Sequence, residues 1–286
     1  MLAALFVALQ YILPKHLLTA LIWRIARIRH AATKDFLITR FVKIFDVDID
    51  DVKLAVPEGF ATFNDFFIRE LVAEARPIDS RNDRIVSPVD GTVSIADTIR
   101  GNSIIQAKGL DYSLDDLLAT DLEQAGAYVD GRFATIYLAP FNYHRIHAPL
   151  DGELVAARYV PGDLFSVSEA TVARVDGLFR RNERLVMHFK TEHGPAALIF
   201  VGALNVGSIS TPWSGELRPQ KHGVVDVLDL SASPTTVKKG DLLGWFNMGS
   251  TVILLMPPGT CQWDDDLLAG QTVRVGEAIG RSSSAA

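Results

Sequence analysis

Residues 246–257 read FNMGSTVILLMP, and the fold turns on the five apolar residues from Val252 to Met256. A continuous apolar run this short, opened by a glycine turn, is the pattern of a strand covered on both faces. Gly249, Ser250 and Thr251 stand at its mouth. A lone Gly-Ser-Thr triplet is ordinary turn chemistry, so any further role has to be argued from the rest of the chain.

Working outward, short apolar runs alternate with turn signals from about residue 80 onward: PVDGTV, APLDGEL, VPGDLF, RVDGLF, TEHGPAA and KKGDLLG. Strands are predicted at 133–139, 184–190, 196–203 and 251–256, with a short helix at 113–120. Upstream, residues 1–75 read as helical. DFLITRFVKIFDV carries apolar residues mostly at i, i+3, i+4 spacing. ATFNDFFIRELVAEARPID offers Thr62 or Asn64 as N-cap and Pro77 as a stop. The expected class is α+β: amphipathic N-terminal helices (residues 1–75), then a mainly antiparallel β domain of short strands (residues 76–286), which is the catalytic part.

The chain has 286 residues, 48% hydrophobic and 22% charged, which suits a folded protein with a sizeable core. Its net charge of −6 supplies no basic excess for nucleic acid. Cys261 is the only cysteine, so an internal disulfide framework and a thiolate metal cluster are excluded.

The most apolar stretch is the N-terminal MLAALFVALQYILPKHLLTALIWRIARIRH. Crossing a bilayer takes about 20 unbroken apolar residues, whereas Pro14, Lys15 and His16 interrupt this run. No Lys or Arg precedes it, as a signal peptide would require. Leu17, Leu21, Ile25 and Ile28 recur at helical spacing, and Arg24, Arg27, Arg29 and Lys34 gather beyond them. That pattern suits a helix lying in the headgroup region with its cations near anionic lipid.

Two other stretches carry chemistry-bearing side chains. SPVDGTV (87–93) sets Asp90 in an Asp-Gly turn, and APFNYHRIHAPLDG (139–152) sets His144 and His147 three residues apart. Taken singly, the first is a turn and the second a pair of surface histidines. As a metal pair the histidines lack a third ligand at any familiar spacing.

Together, FNDFFIREL…ARPID, SPVDGTV, KGLDYSLDDLL, YHRIHAPLDG, LFRRNERLV, VGALNVGSI and KKGDLLGWFNMGSTVILLMP occur in order between residues 60 and 257. In this the chain resembles the pyruvoyl-dependent phosphatidylserine decarboxylases of the membrane-associated bacterial and mitochondrial type. Met248 stands where the best-known members have Leu or Phe, a conservative change.

The resemblance implies an inactive precursor that cuts itself between Gly249 and Ser250, giving a large chain of residues 1–249 and a small chain of residues 250–286. Ser250 becomes an N-terminal pyruvoyl group, which is the covalent cofactor. Asp90, His147 and Ser250 match the family's self-cleavage relay. His144 matches a substrate-side position and is the candidate acid. The implied substrate is phosphatidylserine in the membrane, decarboxylated through a Schiff base to phosphatidylethanolamine and CO2, with no metal. Peripheral attachment to the cell membrane at its cytoplasmic face and a homodimer are further expectations.

The residue types suit that chemistry. A serine hydroxyl can attack the carbonyl before it, and a glycine there lets the oxygen approach. Histidine is the natural base at neutral pH, and a carboxylate on its far nitrogen would fix the tautomer. Two other readings use the same residues. A serine hydrolase built on Asp90, His147 and Ser250 expects a G-x-S-x-G elbow, which NMGSTVI is not. A non-catalytic, carrier-like lipid-surface protein needs a lysine presented in a hairpin, and neither Lys238 nor Lys239 sits in a suitable apolar-flanked triplet.

Overall fold

The computed structural model describes residues 2–107, 109–120, 125–205 and 208–283. The strand Thr251–Met256 is buried at all six positions. It runs antiparallel between Arg132–Tyr137 on one side and Gly194–Val201 on the other, with Thr251 opposite both Tyr137 and Val201. Its apolar side chains face core on both sides of the sheet, which is why the pattern is continuous rather than alternating. Each such side chain contributes about 1.5–3 kcal/mol on burial.

This strand lies inside a nine-stranded antiparallel sheet. The order across it is 226–227, 152–160, 184–191, 194–201, 251–256, 132–137, 91–98 and 272–273, and 236–237 also pairs with 152–160. The strands expected at 133–139, 184–190, 196–203 and 251–256 are formed at 132–137, 184–191, 194–201 and 251–256. The short helix expected at 113–120 spans Leu114–Leu118. The class is α+β, with helices first and an antiparallel β body after them.

A second sheet of four strands, in the order 215–217, 209–211, 242–246, 145–147, packs beside the first. Its strand Leu242–Phe246 ends just before the Gly-Ser-Thr turn, and Thr251 then begins the large sheet. Gly244 makes the crossing possible. A Cβ there would lie 2.5 Å from the Ser210 carbonyl oxygen and 3.0 Å from the Phe200 ring. Residues 247–250 are therefore the link by which the chain passes from one sheet to the other.

The N-terminus forms three helices, α1 (Leu2–Ile12), α2 (Lys15–Ala26) and α3 (Ala31–Phe45). The chain breaks at Pro14, and α1 and α2 meet at 94°. Among the described residues no single helix is long and apolar enough to cross a membrane. One side of α1 and α2 is pinned to the β body by polar contacts. Gln10 accepts from the Ser166 amide at 2.8 Å and donates to Thr171 at 3.1 Å. Lys15 pairs with Asp163 at 3.1 Å, and Thr19 accepts from the Asn205 amide at 3.2 Å. The other side leaves Leu17, Leu21, Ile25 and Ile28 exposed in one stripe, joined by Leu5, Phe6, Leu9 and Ile12.

Two sequence expectations change in this region. The helix read through to Pro77 is only α4 (Phe63–Phe67), capped by Thr62, whose hydroxyl accepts from the Asp65 amide. It stops early because its phenylalanines are drawn into a small separate core with Ile38, Val47 and Phe60; burial on one short turn outweighs the helical spacing further on. Of the four cations grouped for lipid contact, Arg27 pairs with Glu216 at 2.7 Å over Trp23. Lys34 is buried against Asp35 and the Pro57 carbonyl. Arg24 and Arg29 remain exposed.

Candidate active site

Pairing between 145–147 and 242–246 brings His144 to the Gly-Ser-Thr turn and sets His147 opposite Leu242. Trp245 lies opposite Arg145, and the Phe246 amide donates to the His144 carbonyl at 3.1 Å. His144 thus sits beside the chain three residues before Gly249. Its side chain is fully buried, with the Phe67 ring 4.2 Å away between centroids.

The His144 tautomer follows from its partner. Nδ1 lies 2.8 Å from the Asn142 carbonyl oxygen, which can only accept, so Nδ1 carries the hydrogen and Nε2 the lone pair. That lone pair points at the turn: a Cβ added to Gly249 would lie 3.3 Å from Nε2. Burial, reinforced by the nearby Arg69 charge, lowers the imidazole pKa to about 3. The ring is therefore neutral at physiological pH.

Ser250 is wholly buried. Its carbonyl accepts from the Leu138 amide at 2.8 Å, fixing the backbone. Among the described residues, Ser250 Oγ and His144 Nε2 are both buried without a hydrogen-bond partner. Each unpartnered buried polar group costs about 1–3 kcal/mol, and such exceptions call for an explanation. Here two flank a single peptide bond.

The turn is clamped from the other side by Asn247. Its Nδ2 donates to Ser208 Oγ at 2.8 Å and Ser210 Oγ at 2.9 Å, and its Oδ1 accepts from Asn64 of α4 at 3.1 Å. Next to Gly249 lies a cavity of about 380 Å³. Its walls include Phe41 and Phe45 of α3, Phe67, Met248 and the hydroxyl-bearing Ser166 and Ser168.

These observations agree with what comparison with known proteins finds. The family model described as Phosphatidylserine decarboxylase matches residues 63–281, and one described as PSD matches residues 5–46. The chain belongs to the phosphatidylserine decarboxylase family. The phosphatidylserine decarboxylase proenzyme of Alcanivorax borkumensis is 46% identical over 277 residues, covering 96% of this chain and 95% of the relative. The proenzyme of Saccharophagus degradans is 44% identical over 277 residues, 96% of each chain. That of Legionella pneumophila strain Lens is 44% identical over 273 residues, 94% of this chain and 95% of the relative. The chain is thus an enzyme, a decarboxylase.

Within this decarboxylase family site, the hydrogen bond expected between Asp90 and His147 is not made. Asp90 is held by Arg76, whose Nε lies 3.0 Å from both carboxylate oxygens and whose Nη2 lies 2.6 Å from Oδ2. The Val275 amide also donates to Oδ1 at 2.9 Å. A guanidinium fork of this kind is a stronger partner than a neutral imidazole. His147 Nδ1 donates instead to the Gly240 carbonyl at 2.7 Å, and its Nε2 accepts from the Tyr143 hydroxyl at 3.1 Å. Burial lowers its pKa. The two segments are nevertheless neighbours, because the His147 amide donates to the Pro88 carbonyl at 2.8 Å.

Arg76, Arg69, Phe67, Asn142 and Asn247 escaped the sequence reading. Arg69 and Phe67 lie within the quoted FNDFFIREL, but an arginine destined for burial looks like any other in sequence. The two lysines weighed for the carrier-like alternative both have polar partners. Lys238 pairs with Asp151 at 3.1 Å, and Lys239 donates to the carbonyls of Arg81 and Arg84 at 2.6 and 3.1 Å.

Proposed function

We propose that this chain is a precursor that cuts itself between Gly249 and Ser250 and then decarboxylates phosphatidylserine at a membrane surface. The observation that carries the reading is the pair of unpartnered buried atoms, Ser250 Oγ and His144 Nε2, beside Gly249. In the first step Ser250 Oγ attacks the Gly249 carbonyl carbon as a histidine takes the hydroxyl proton. The resemblance gives that role to His147 with Asp90, while His144 Nε2 is the imidazole nitrogen that lies beside Gly249. The C–N bond breaks, the Ser250 nitrogen gains a proton, and an ester replaces the amide. The imidazole, freed when it hands its proton to the Ser250 nitrogen, then takes the Ser250 α-proton, and the electron pair left behind breaks the Cβ–O bond. Gly249 leaves as a carboxylate, residue 250 becomes dehydroalanine, and water releases ammonia from it to leave the pyruvoyl ketone.

The surroundings fit that group. It replaces a buried serine in place, beside a glycine whose missing Cβ leaves room for the imidazole. The pyruvoyl carbonyl supplies the electrophile that takes up the substrate amine and stores the electrons released with CO2. His144 can pass a proton to the substrate carbon once its Nε2, bare in the resting ring, has taken one up. Phe41, Phe45, Phe67 and Met248 offer an apolar wall for the lipid, and Ser166 and Ser168 can donate to its headgroup. The small chain would stay in place because Thr251–Met256 is hydrogen-bonded on both edges.

In this scheme the Asp90–His147–Ser250 relay forms only if Asp90 leaves Arg76 and His147 gives up both Gly240 and Tyr143. A serine hydrolase is less well supported, since Ser250 Oγ is sealed from solvent and bonded to no histidine. The outward stripe Leu17, Leu21, Ile25 and Ile28 supports peripheral attachment to a bilayer, where a diacyl substrate resides.

A denaturing gel of purified protein tests the scheme. Two fragments are expected, the smaller beginning at residue 250 and resistant to Edman degradation, while Ser250→Ala runs intact. A wild-type chain that decarboxylates phosphatidylserine without being cut overturns it.

A further inference from the structure

We infer that Glu216 is a positioning residue for the Gly249–Ser250 turn. Through Ser208 it decides which way round the Asn247 side chain sits, and it ties that choice to α2. The inference rests on the reading that the Gly249–Ser250 bond is the one cut. Glu216 lies on the strand Gly215–Leu217, opposite Ser210. The strand Ile209–Thr211 stands between it and Leu242–Phe246, which leads into the turn, with Ile209 opposite Phe246. Three donors converge on one carboxylate oxygen of Glu216, Oε1. Trp23 Nε1 of α2 and Nη2 of Arg27, the residue that ends α2, each reach it at 2.7 Å. The third donor is the hydroxyl of Ser208.

Residue type sets the direction of every bond in this chain. An indole nitrogen and a side-chain amide nitrogen only donate, and a carboxylate only accepts. Asn247 Nδ2 donates to Ser208 Oγ at 2.8 Å, and the single Ser208 hydroxyl hydrogen is committed to Glu216. A serine whose hydrogen is taken presents only lone pairs to Asn247. Asn247 therefore turns its nitrogen toward Ser208 and Ser210, leaving Oδ1 to accept from Asn64 at 3.1 Å. Without the carboxylate, the Ser208 hydrogen could point back at Asn247, and a reversed amide would set its nitrogen against that of Asn64. A bond to an ionised acceptor is about twice as strong as a neutral one, so the carboxylate makes the choice one-sided.

The consequence reaches the turn because Ser208 also holds the backbone there. Its carbonyl accepts from the Asn247 amide at 3.0 Å, two residues before Gly249. Ser208 is fully buried and Asn247 nearly so, and a wrong orientation leaves polar groups unpaired where solvent does not reach. At the other end of the chain the Trp23 ring is itself held, with the Arg27 and Arg218 guanidinium carbons 4.2 and 4.1 Å from its centroid.

Two measurements test this. Trp23→Phe keeps a ring against both arginines but removes the indole N–H. Glu216→Gln keeps the shape but lets an N–H face Ser208. Each should slow self-cleavage roughly 5-fold or more. In a chain that already carries Asn247→Leu, neither should slow it further, because both act through the side chain that has been removed. In the uncut Ser250→Ala precursor, the indole 15N–1H signal of Trp23 is identified by its loss in Trp23→Phe. It should move on Ser208→Ala and on Asn247→Leu. The signal of Trp263, which donates to the Phe133 carbonyl at 3.1 Å, should not.

Slowing by Trp23→Phe that is as large with Asn247→Leu as without it overturns the inference, because a residue that merely holds α2 on the β body would act that way. A Trp23 signal unmoved by Ser208→Ala overturns it as well. Should Asn247→Leu fail to fold, Ser208→Ala supplies the same background. The indole spectra need no cleavage, so they decide the inference even if the wild-type chain stays uncut, which would refute the proposed cut alone.

Discussion

The side-chain amide of Asn64 donates to Oδ1 of Asn247 at 3.1 Å, joining α4 to the turn that holds Gly249 and Ser250. Asn247 is 3% exposed and commits its amide hydrogens to Ser208 and Ser210. Its one carbonyl lone pair in use is the bond from Asn64. Asn64→Leu would leave that oxygen buried and unpaired, at about 1–3 kcal/mol. If the penalty falls on the reactive geometry, self-cleavage slows by roughly 5- to 160-fold while the melting temperature changes little. Following the uncut band with time in Asn64→Leu and Asn247→Leu checks this; wild-type rates in both would remove the clamp from the mechanism.

Much of this arrangement was legible in one dimension, and the reasons differ from residue to residue. Thr251–Met256 could be read because a strand covered on both faces has no alternation to misjudge. Gly249, Ser250 and His144 could be singled out because their motifs are local, and the structure brings them to one place. The Asp90–His147 bond was anticipated from chemistry that ignores competitors, and Arg76 is a competitor fourteen residues away whose approach depends on the whole fold. Arg69 and Asn142 were out of reach for the same reason: the Asn142 carbonyl meets both His144 Nδ1 and Arg69 only through tertiary contact. The over-long helix after Thr62 failed because periodicity persists where Phe63, Phe66 and Phe67 have already found their core.

Gly249 faces two fixed neighbours. A Cβ there would sit 3.3 Å from His144 Nε2 and 3.3 Å from the Leu138 carbonyl oxygen. Neither can retreat freely, since one is a ring held at Nδ1 and the other is backbone just beyond the strand 132–137, whose own amide donates to the Ser250 carbonyl. Gly249→Ala should therefore fold, at a cost of about 1–3 kcal/mol for overpacking, but displace the imidazole and slow cleavage by more than tenfold. A thermal melt and a gel time course measure the two effects separately. Cleavage at the glycine rate would mean that the approach is looser than these distances require.

Glu183 gives a pH dependence with the opposite sign to that of the histidines. It is fully buried, accepts from the Tyr159 hydroxyl at 2.7 Å, and has its pKa raised by burial to about 7. Between its ordinary value of 4.5 and about 7 the folded chain holds a proton that the unfolded chain has released. Rising pH therefore favours unfolding through that window, by about 3 kcal/mol in total as an order of magnitude. His144 and His188 act the other way. Burial lowers them to about 3 and about 4 from 6.5, so their contribution is complete above 6.5 and is lost as pH falls. Denaturant melts of the Ser250→Ala precursor with and without Glu183→Gln isolate the carboxyl. Their stability difference should grow in favour of the Glu183→Gln variant from about pH 5 to about pH 8, and a difference independent of pH would show that Glu183 is ionised in the fold.

The N-terminal stripe calls for point substitutions rather than removal of the helices. Gln10 and Thr19 bond to the amides of Ser166 and Asn205, and both of those residues line the cavity beside Gly249. Deleting α1 and α2 would disturb the reaction centre along with any membrane contact. Leu21 and Ile25 point outward, 52% and 37% exposed, and make no part of that wall. Full burial of such a side chain in a bilayer is worth about 1.5–3 kcal/mol, so Leu21→Glu with Ile25→Glu should lower binding to vesicles containing phosphatidylglycerol by at least ~10-fold. Self-cleavage in detergent should be unchanged, because nothing that holds His144 or Ser250 is touched. Vesicle flotation together with the gel assay checks both halves. Undiminished flotation of the double variant would mean that the stripe is not the surface that meets lipid, and the exposed Phe36, Ile44 and Phe45 of α3 would be the next face to substitute.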